Sequence, residues 1–145
     1  MNTLSDNVKI MEVLTLDAAA NNTDANSDRI DMSGWDGIVF LVPITDSDAT
    51  GVATLKVEAN TVDSDSGMVA ITGASAAATC VSGDDLNDTL LIVDVYRPQK
   101  RYVQGVITSS VANIAFGNTI AIQYKGSKFP VTQHASVKTI AQVTG

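Results

Sequence analysis

Residues 89–96 (TLLIVDVY) and 101–108 (RYVQGVIT) are two runs rich in β-branched and aromatic residues, joined by the segment RPQK at 97–100. Such residues are favoured in strands because their branched or flat side chains pack well on a pleated surface. Two strand-like runs separated by a short link that contains Pro98 are typical of a β-hairpin. The stretch therefore predicts two antiparallel strands that pair with each other.

Three further segments predict strands on either side of this stretch. Residues 38–42 are apolar on both sides of the pleat, which is typical of a strand covered on both faces, and Pro43 is expected to end it. Residues 52–59 alternate between apolar and polar positions, which indicates a half-exposed strand. Residues 119–124 form another β-rich run after a turn at Gly117 and Asn118.

Weaker patterns lie between and before these strands. Residues 8–16 place Val8, Ile10, Leu14 and Leu16 on one face of a strand, although a short helix fits the same residues. Two glycines and an aspartate predict a tight turn at 33–37. The glycine-containing region 60–88 predicts two weak strands, near 68–71 and 77–81.

The composition supports an all-β fold. Val, Ile and Thr make up 43 of 145 residues, whereas Leu, Glu, Lys and Gln together make up 21. With about eight strands at this spacing, the sequence predicts an antiparallel β-sandwich or jelly-roll-like protein.

The length fits one domain, which we place at residues 1–126. Beyond Gly126 the chain is basic and shows no hairpin pattern, so residues 127–145 predict an extended C-terminal arm. The N-terminal segment 1–16 is a second candidate arm.

The charge is unevenly distributed along the chain. The net charge is −7, with 16 acidic and three basic residues in 1–94 and six basic and no acidic residues in 95–145. Two interpretations are open: acidic loops with a basic tail, or an oriented docking surface whose charges set register and association rate. Clustered basic residues are needed to bind a phosphate backbone, so nucleic acid is a poor partner for this acidic chain.

Cysteine and histidine are too few for most metal or redox centres. The chain has one of each, Cys80 and His134. We expect Cys80 to be a small buried hydrophobic residue and His134 to be exposed in the tail. No signal peptide or membrane-spanning run is visible, so we expect synthesis in a cytoplasm.

Aspartates are the remaining candidates for chemistry, because paired carboxylates can divide acid and base roles. The candidate groups lie beside Ser, Thr or Gly in predicted loops, where turn formation explains them: Asp46/Asp48, Asp63/Asp65, Asp84/Asp85 and Asp88. The segment 63–67 resembles the start of a calcium loop, but no glutamate closes it. We therefore expect no catalytic residue, no metal, no cofactor and no enzymatic activity; a weak surface calcium site is the open alternative.

The candidate interface residues are basic or aromatic. Trp35, the only tryptophan, fits two interpretations: an interface anchor or a plug at the end of the sandwich. The others surround the predicted hairpin or belong to the basic C-terminal region: Tyr96, Arg97, Lys100, Arg101, Lys125, Lys128, Phe129 and Lys138.

Three segments carry a resemblance to a known family: DMSGWDG at 31–37, DVYRPQKRYV at 94–103, and AIQY at 121–124 with KFPVT at 128–132. In these segments and their order, the chain resembles the small head decoration, or cement, proteins of tailed bacteriophages. The Tyr-Arg-Pro-x-Lys-Arg-Tyr motif is the most distinctive, and residues 45–88 take no part in the resemblance.

The resemblance implies a jelly-roll-like virion protein that binds the outer surface of the capsid after synthesis in the host cytoplasm. Its implied partners are the major capsid protein and itself, as a homotrimer, with no nucleic acid and no membrane. We further expect the ends, residues 1–16 and 125–145, to reach across neighbouring subunits, so that deleting 127–145 weakens head binding without unfolding the domain. The alternative function is a receptor- or carbohydrate-binding appendage of the virion, although aromatic residues are only 5% of the chain.

Overall fold

Eleven strands form two antiparallel sheets in the computed structural model, which describes residues 3–15, 17–20 and 22–144. The predicted Leu16 position and the outermost arm residues 1, 2 and 145 lie outside this description, as does residue 21. The elements, in chain order, are α1 (Leu4–Asn7), β1 (Lys9–Leu14), β2 (Asp17–Ala20), β3 (Thr23–Asn26), β4 (Ile30–Asp31), β5 (Trp35–Ser47), β6 (Val52–Asn60), β7 (Val69–Thr79), β8 (Thr89–Tyr96), β9 (Tyr102–Ser110), β10 (Ile114–Phe116) and β11 (Thr119–Gly126).

The first sheet is built around β5. Strand β8 pairs along one edge of β5, and β11 and then β10 pair along the other edge. Strands β1 and β2 lie beyond β11 and β10. In the second sheet β9 lies between β6 on one side and β3 and β4 on the other, and β7 pairs with β6. The all-β sandwich prediction is confirmed.

The core lies between the two sheets. From β5, alternate residues Ile38, Phe40, Val42 and Ile44 are almost fully buried, because successive side chains of a strand point to opposite faces. From β6, the predicted alternation is confirmed, with residues 53, 55, 57 and 59 buried and the intervening ones partly exposed. Burial of each large aliphatic side chain contributes about 1.5–3 kcal/mol.

The predicted hairpin between β8 and β9 is wrong, although both strands are present. Strand β8 pairs with β5 in the first sheet, whereas β9 pairs with β6, β3 and β4 in the second. The link at 97–101 therefore crosses from one sheet to the other. A short link between strand-like runs fits both arrangements, and the sequence pattern does not distinguish pairing from crossing.

Pro43 does not end β5, which continues to Ser47. Its missing N–H causes no loss here, because Pro43 lies where the neighbour of β5 changes from β11 at Leu41 to β10 at Ile44. The carbonyl of Pro43 still accepts a hydrogen bond of 2.8 Å from the backbone N–H of Gly117.

The two weak strands predicted in 60–88 form one strand, β7. Its pairing with β6 shifts register between Lys56 and Glu58, which indicates an irregularity in the ladder near Gly73, where φ is +82°. The apolar pieces at either end of β7 thus belong to one strand interrupted by a bulge.

Two predictions near the beginning of the chain also need correction. In β1 the core-facing residues are Met11 and Val13, whereas Ile10 and Leu14 are only partly buried. The predicted turn at 33–37 is limited to Ser33 and Gly34, and Trp35 already begins β5.

The C-terminal segment (residues 127–144) contains no regular strand and lies against the N-terminal part of the chain. The side-chain oxygen of Gln133 accepts a hydrogen bond from the backbone N–H of Ile10 (2.8 Å) in β1, and its amide group donates to the carbonyls of Ser5 and Val8. The Gln142 amide donates to Asp6. No helix among the described residues is long and apolar enough to cross a membrane.

Candidate protein interface

One end of the sandwich brings together most of the predicted interface residues. The chain reaches this end at the beginning of β5, at the end of β11 and in the link between β8 and β9. These are the three regions that carry the sequence resemblance. We call this the basic end, defined by Arg97, Lys100, Arg101, Lys125 and Lys128.

Tyr96 lies beside two cations at the basic end. The Arg97 guanidinium lies 5.1 Å from the centre of the Tyr96 ring, and the Lys125 ammonium lies 4.8 Å from it. Each such contact contributes about 0.5–1 kcal/mol at an exposed site. Arg97, the first residue after β8, has φ of 54°, and its N–H donates to the Asp36 carbonyl at 2.6 Å. This hydrogen bond fixes the backbone position of Arg97 at the start of the link.

Arg101 is engaged within the protein. Its Nε and Nη2 donate to the two carboxylate oxygens of Asp31 at 2.9 and 2.8 Å, and its guanidinium lies 5.3 Å from the Tyr102 ring. The Arg101 guanidinium, with the Ser33 N–H, holds the pKa of Asp31 below its usual value. The pair fixes the link at its second end.

Three lysines at this end are not neutralised. Lys100, Lys125 and Lys128 form no ion pair with a carboxylate in the described part of the chain. They leave positive charge available to a partner.

Trp35 separates two shallow clefts. The tail-side cleft, of about 500 Å³, runs from Trp35 to Lys128 and Thr132, and the link-side cleft, of about 580 Å³, runs from Trp35 to Arg97 and Lys100. Trp35 is half-buried and packs against the core as well as lining both clefts. The contact with the core fits the interpretation of Trp35 as a plug, and the interface-anchor interpretation stays a prediction.

Tyr124 is not among the residues predicted from the sequence, although its side chain packs between the strands that form the basic end. Its hydroxyl donates to Asp94 at 2.6 Å, and its ring lies so close to Gly37 that a Cβ there would be 2.1 Å from the Tyr124 Cζ. Burial, together with the Asp94 contact, raises the pKa of Tyr124 to about 12. The alternation Ile-x-Tyr in 122–124 was the available signal in the sequence.

Two predicted interface residues lie on the C-terminal segment, outside the two clefts beside Trp35. Phe129 is exposed next to Lys128, on the C-terminal segment. Lys138 is also exposed on that segment and lines neither cleft.

The opposite end of the sandwich is acidic. The loops after β5 and β7 meet there, since the Asp84 N–H donates to the Ser47 carbonyl. We call this the acidic end, defined by Asp46, Asp48, Asp84, Asp85 and Asp88. Acidic side chains also lie at the basic end, where Asp36 pairs with Arg97 and Asp31 pairs with Arg101, so the oriented docking surface stays a prediction.

The candidate aspartates serve turns and ion pairs. The Cys80 thiol and the N–H groups of Val81 and Ser82 hold the pKa of Asp85 below its usual value. Asp63 and Asp65 both contact the Arg29 guanidinium. Within the described ranges no three His, Cys, Asp or Glu side chains form a group able to hold a metal ion.

Cys80 is fully buried in the core, as predicted. The expectation for His134 was less accurate, because its side chain is partly covered beside β1 and its Nδ1 lies 2.9 Å from Ser136 Oγ.

Comparison with known proteins supports the fold. No protein-family description and no curated protein sequence matches the chain. Among solved structures, the chain is similar to the PBSX exported protein XepA, a phage-related protein, with a TM-score of 0.54 and 17% sequence identity. The match covers 100% of this chain and 45% of that one, so the chain spans less than half the length of this structural neighbour.

Proposed function

We propose that this chain is a structural virion protein that binds the outer surface of a phage capsid and stabilises the head. One observation carries the proposal: the three sequence segments that resemble head decoration proteins converge at the basic end. They are distant in sequence, and the fold places them around Trp35 and its two clefts. The phage-related structural neighbour supports the same class of protein.

The chemistry of the basic end suits protein contact. Trp35 offers a large aromatic surface that is already anchored against the core, and aromatic anchors of this kind often dominate binding energy. Lys100, Lys125 and Lys128 supply charge that steers an acidic capsid surface into register. The clefts are open and shallow, which suits a protein surface better than an enclosed small molecule.

Multivalency would provide the strength of attachment. We propose a homotrimer whose copies engage equivalent capsid surfaces, so that after the first contact the others form at high effective concentration. Weak single contacts then hold neighbouring capsid subunits together against internal pressure. No bond is made or broken in this mechanism, and no cofactor takes part.

The test is co-sedimentation with purified expanded heads that lack this protein. The double variant Lys100→Glu/Lys128→Glu reverses charge on both sides of Trp35 and is expected to lower head affinity by about tenfold or more. The single variant Lys138→Glu is the matched control, because Lys138 is an exposed lysine outside both clefts.

Equal occupancy of the double variant and the wild type would refute docking through the basic end. Binding of the wild type to glycans or host cells, but not to heads, would instead favour the receptor-binding alternative.

A further inference from the structure

The tail-side cleft beside Trp35 contains donor groups that the fold itself does not use. Two ammonium groups and three hydroxyl groups line this cleft: Lys9, Ser33, Ser127, Lys128 and Thr132. None of these five side chains forms a hydrogen bond or an ion pair with another described residue. Elsewhere such groups are engaged, as when the Thr108 hydroxyl donates to Asp24. The cleft therefore has side-chain donors that are free to bind another molecule.

The tail-side cleft carries positive charge without a neutralising group. No aspartate or glutamate is among its lining residues within the described part of the chain. An ammonium group only donates hydrogen bonds, and a hydroxyl group can donate one while it accepts others. Cations and hydroxyls that line one cleft without a carboxylate are suited to an anion.

Lys9 distinguishes this cleft from an ordinary basic surface. It is partly buried at the beginning of β1, whereas Lys128 is exposed. A smaller cleft that Lys9 also borders contains Glu12, Asp28 and Asp31, but Lys9 forms no ion pair with these described carboxylates. Removing a charged group from water without a partner costs free energy. A bound anion would offset that cost at Lys9.

Backbone hydrogen bonds hold the walls of the cleft in place. The Ser127 N–H donates to the Gly34 carbonyl at 2.9 Å, and the Val131 N–H donates to the Asp6 carbonyl at 2.9 Å. Lys9 lies in the ladder between β1 and β11. The donors are thus positioned before a ligand arrives, which lowers the cost of binding.

The donors suit a phosphate group better than a carboxylate. A planar carboxylate is matched by the two-pronged guanidinium group of arginine, whereas lysine is a compact charge that is common in phosphate sites. No arginine is among the described residues that line this cleft, and the two arginines of the basic end pair with aspartates. A phosphate group carries three strong acceptor oxygens, which several dispersed donors can share.

The dimensions of the cleft allow the phosphate to be part of a larger molecule. The cleft has a volume of about 500 Å³ and is open to solvent, so it can admit more than a single oxyanion. The Trp35 ring lies against Gly126, where a Cβ would be 2.8 Å from the Trp35 Cζ3. Its aromatic surface fits the carbon skeleton that carries a phosphate ester.

We propose that the tail-side cleft is a binding site for a phosphate group, which Lys9 and Lys128 bind by charge and the three hydroxyls bind by hydrogen bonds. A free ion, a small phosphate ester and a phospholipid headgroup all present the required oxygens. A nucleic acid strand also presents phosphates, but strand binding uses a basic groove with several stacked aromatic residues. Trp35 is the single aromatic residue among the described residues that line this cleft.

The experiment titrates the full chain at constant ionic strength, by isothermal titration calorimetry and by NMR of the backbone amides. The probes are inorganic phosphate, glycerol 3-phosphate and phosphatidylglycerol vesicles, with acetate, glycerol and phosphatidylcholine vesicles as their respective controls. We expect saturable binding of a phosphate probe with half-saturation at about 1 mM or below. The amide shifts are expected in residues 33–35 and 127–132, and the probe that binds most tightly identifies the source of the phosphate.

Lys9→Met removes the charge and keeps most of the aliphatic chain, and it is expected to raise the half-saturation concentration by about tenfold or more. Lys128→Met is a second variant with the same expected direction. Lys138→Met is the matched control, because Lys138 is an exposed lysine of the C-terminal segment outside the cleft, and it should bind as the wild type does. Circular dichroism of each variant shows whether the sandwich has folded.

Three results would overturn the proposal: no saturable binding of any phosphate probe, equal binding of acetate and phosphate, or unchanged affinity in both Lys9→Met and Lys128→Met. Tighter binding of a single-stranded oligonucleotide than of glycerol 3-phosphate would assign the cleft to nucleic acid and also overturn it. The titration requires no capsid, so its failure leaves the proposed function standing, and a failure to bind heads leaves the phosphate site standing.

Discussion

Gly37 and Tyr124 show how a single residue shapes the basic end. The two residues are paired across β5 and β11, and the Tyr124 ring occupies the space that a side chain at position 37 would need. The hydroxyl of Tyr124 reaches Asp94 on β8, so one aromatic side chain spans the backbone of β5. An ordinary tyrosine hydroxyl already keeps its proton at neutral pH, and burial with the Asp94 contact raises the pKa of Tyr124 further, to about 12, so the hydroxyl remains the donor.

Gly37→Ala is expected to lower the free energy of unfolding by about 1–3 kcal/mol, since the added methyl group forces the Tyr124 ring away from Asp94. Urea denaturation followed by circular dichroism measures the change. Gly83→Ala is the control: a Cβ at Gly83 meets no atom within 4 Å, so its effect should stay within about 0.5 kcal/mol. Equal stability of the two variants would contradict the role assigned to Gly37.

At the scale of single residues, the sequence predicts which side chains are buried, but it does not predict which distant residues come into contact. Cys80 and the alternating residues of β6 are buried as expected, because hydrophobicity and strand periodicity are properties of the local sequence. The glycine at position 37 looked like part of a turn. Its actual role depends on Tyr124, which lies 87 positions later and becomes its neighbour only through strand pairing.

At the scale of elements, the outer edge of β1 pairs with no further strand, and the C-terminal segment covers it instead. An edge strand presents unpaired N–H and C=O groups that can pair with another chain. Here the Gln133 amide group satisfies the N–H of Ile10 and the carbonyl of Val8, as a neighbouring peptide group would. The C-terminal segment is thus attached to its own domain, and its complete deletion would alter β1 as well as any contact with a partner.

Gln133→Ala is expected to speed hydrogen exchange of the Ile10 amide and to cost about 1–3 kcal/mol of stability, because partly buried β1 groups lose their partners. Exchange monitored residue by residue by NMR tests this. Gln99→Ala is the control, since the Gln99 amide donates to the Arg97 carbonyl on an exposed link away from β1. Unchanged protection of Ile10 would show that the C-terminal segment does not guard the edge.

The positions of the strands could be predicted from the sequence more easily than the pairing between them. Strands β8 and β9 follow from local composition, but the choice between a hairpin and a crossing depends on β5 and β6, which supply the long-range pairing. Pro43 gave a similarly incomplete signal. A proline is expected to end a strand, yet the change of neighbour from β11 to β10 provides a position that needs no N–H.

At the scale of the whole molecule, most basic residues gather at one end of the sandwich, whereas aspartates lie at both ends. The basic end and the acidic end lie at opposite ends of β5, because the sheet topology gathers loops that are distant in sequence. The sequence revealed the imbalance between the two parts of the chain, but not the pairing of Asp36 with Arg97 and of Asp31 with Arg101, which depends on the order of the strands.

Raising the salt concentration is expected to slow association of the chain with heads, since the screening length falls from about 10 Å at 0.1 M salt to about 3 Å at 1 M. Surface plasmon resonance on immobilised heads gives the rate. The Lys100→Glu/Lys128→Glu variant should show a smaller salt dependence, and Lys138→Glu the wild-type dependence. A rate that does not change with salt would show that the lysines of the basic end do not guide docking.

Trp35 has a practical consequence. It is the only indole in the chain, it touches the core on one side, and it borders both clefts on the other. Its fluorescence is therefore expected to respond to unfolding, which exposes the ring to water, and to binding of any molecule at the basic end that excludes water from the ring. The native chain thus contains its own optical probe, and occupancy and integrity can be followed in one cuvette without a dye.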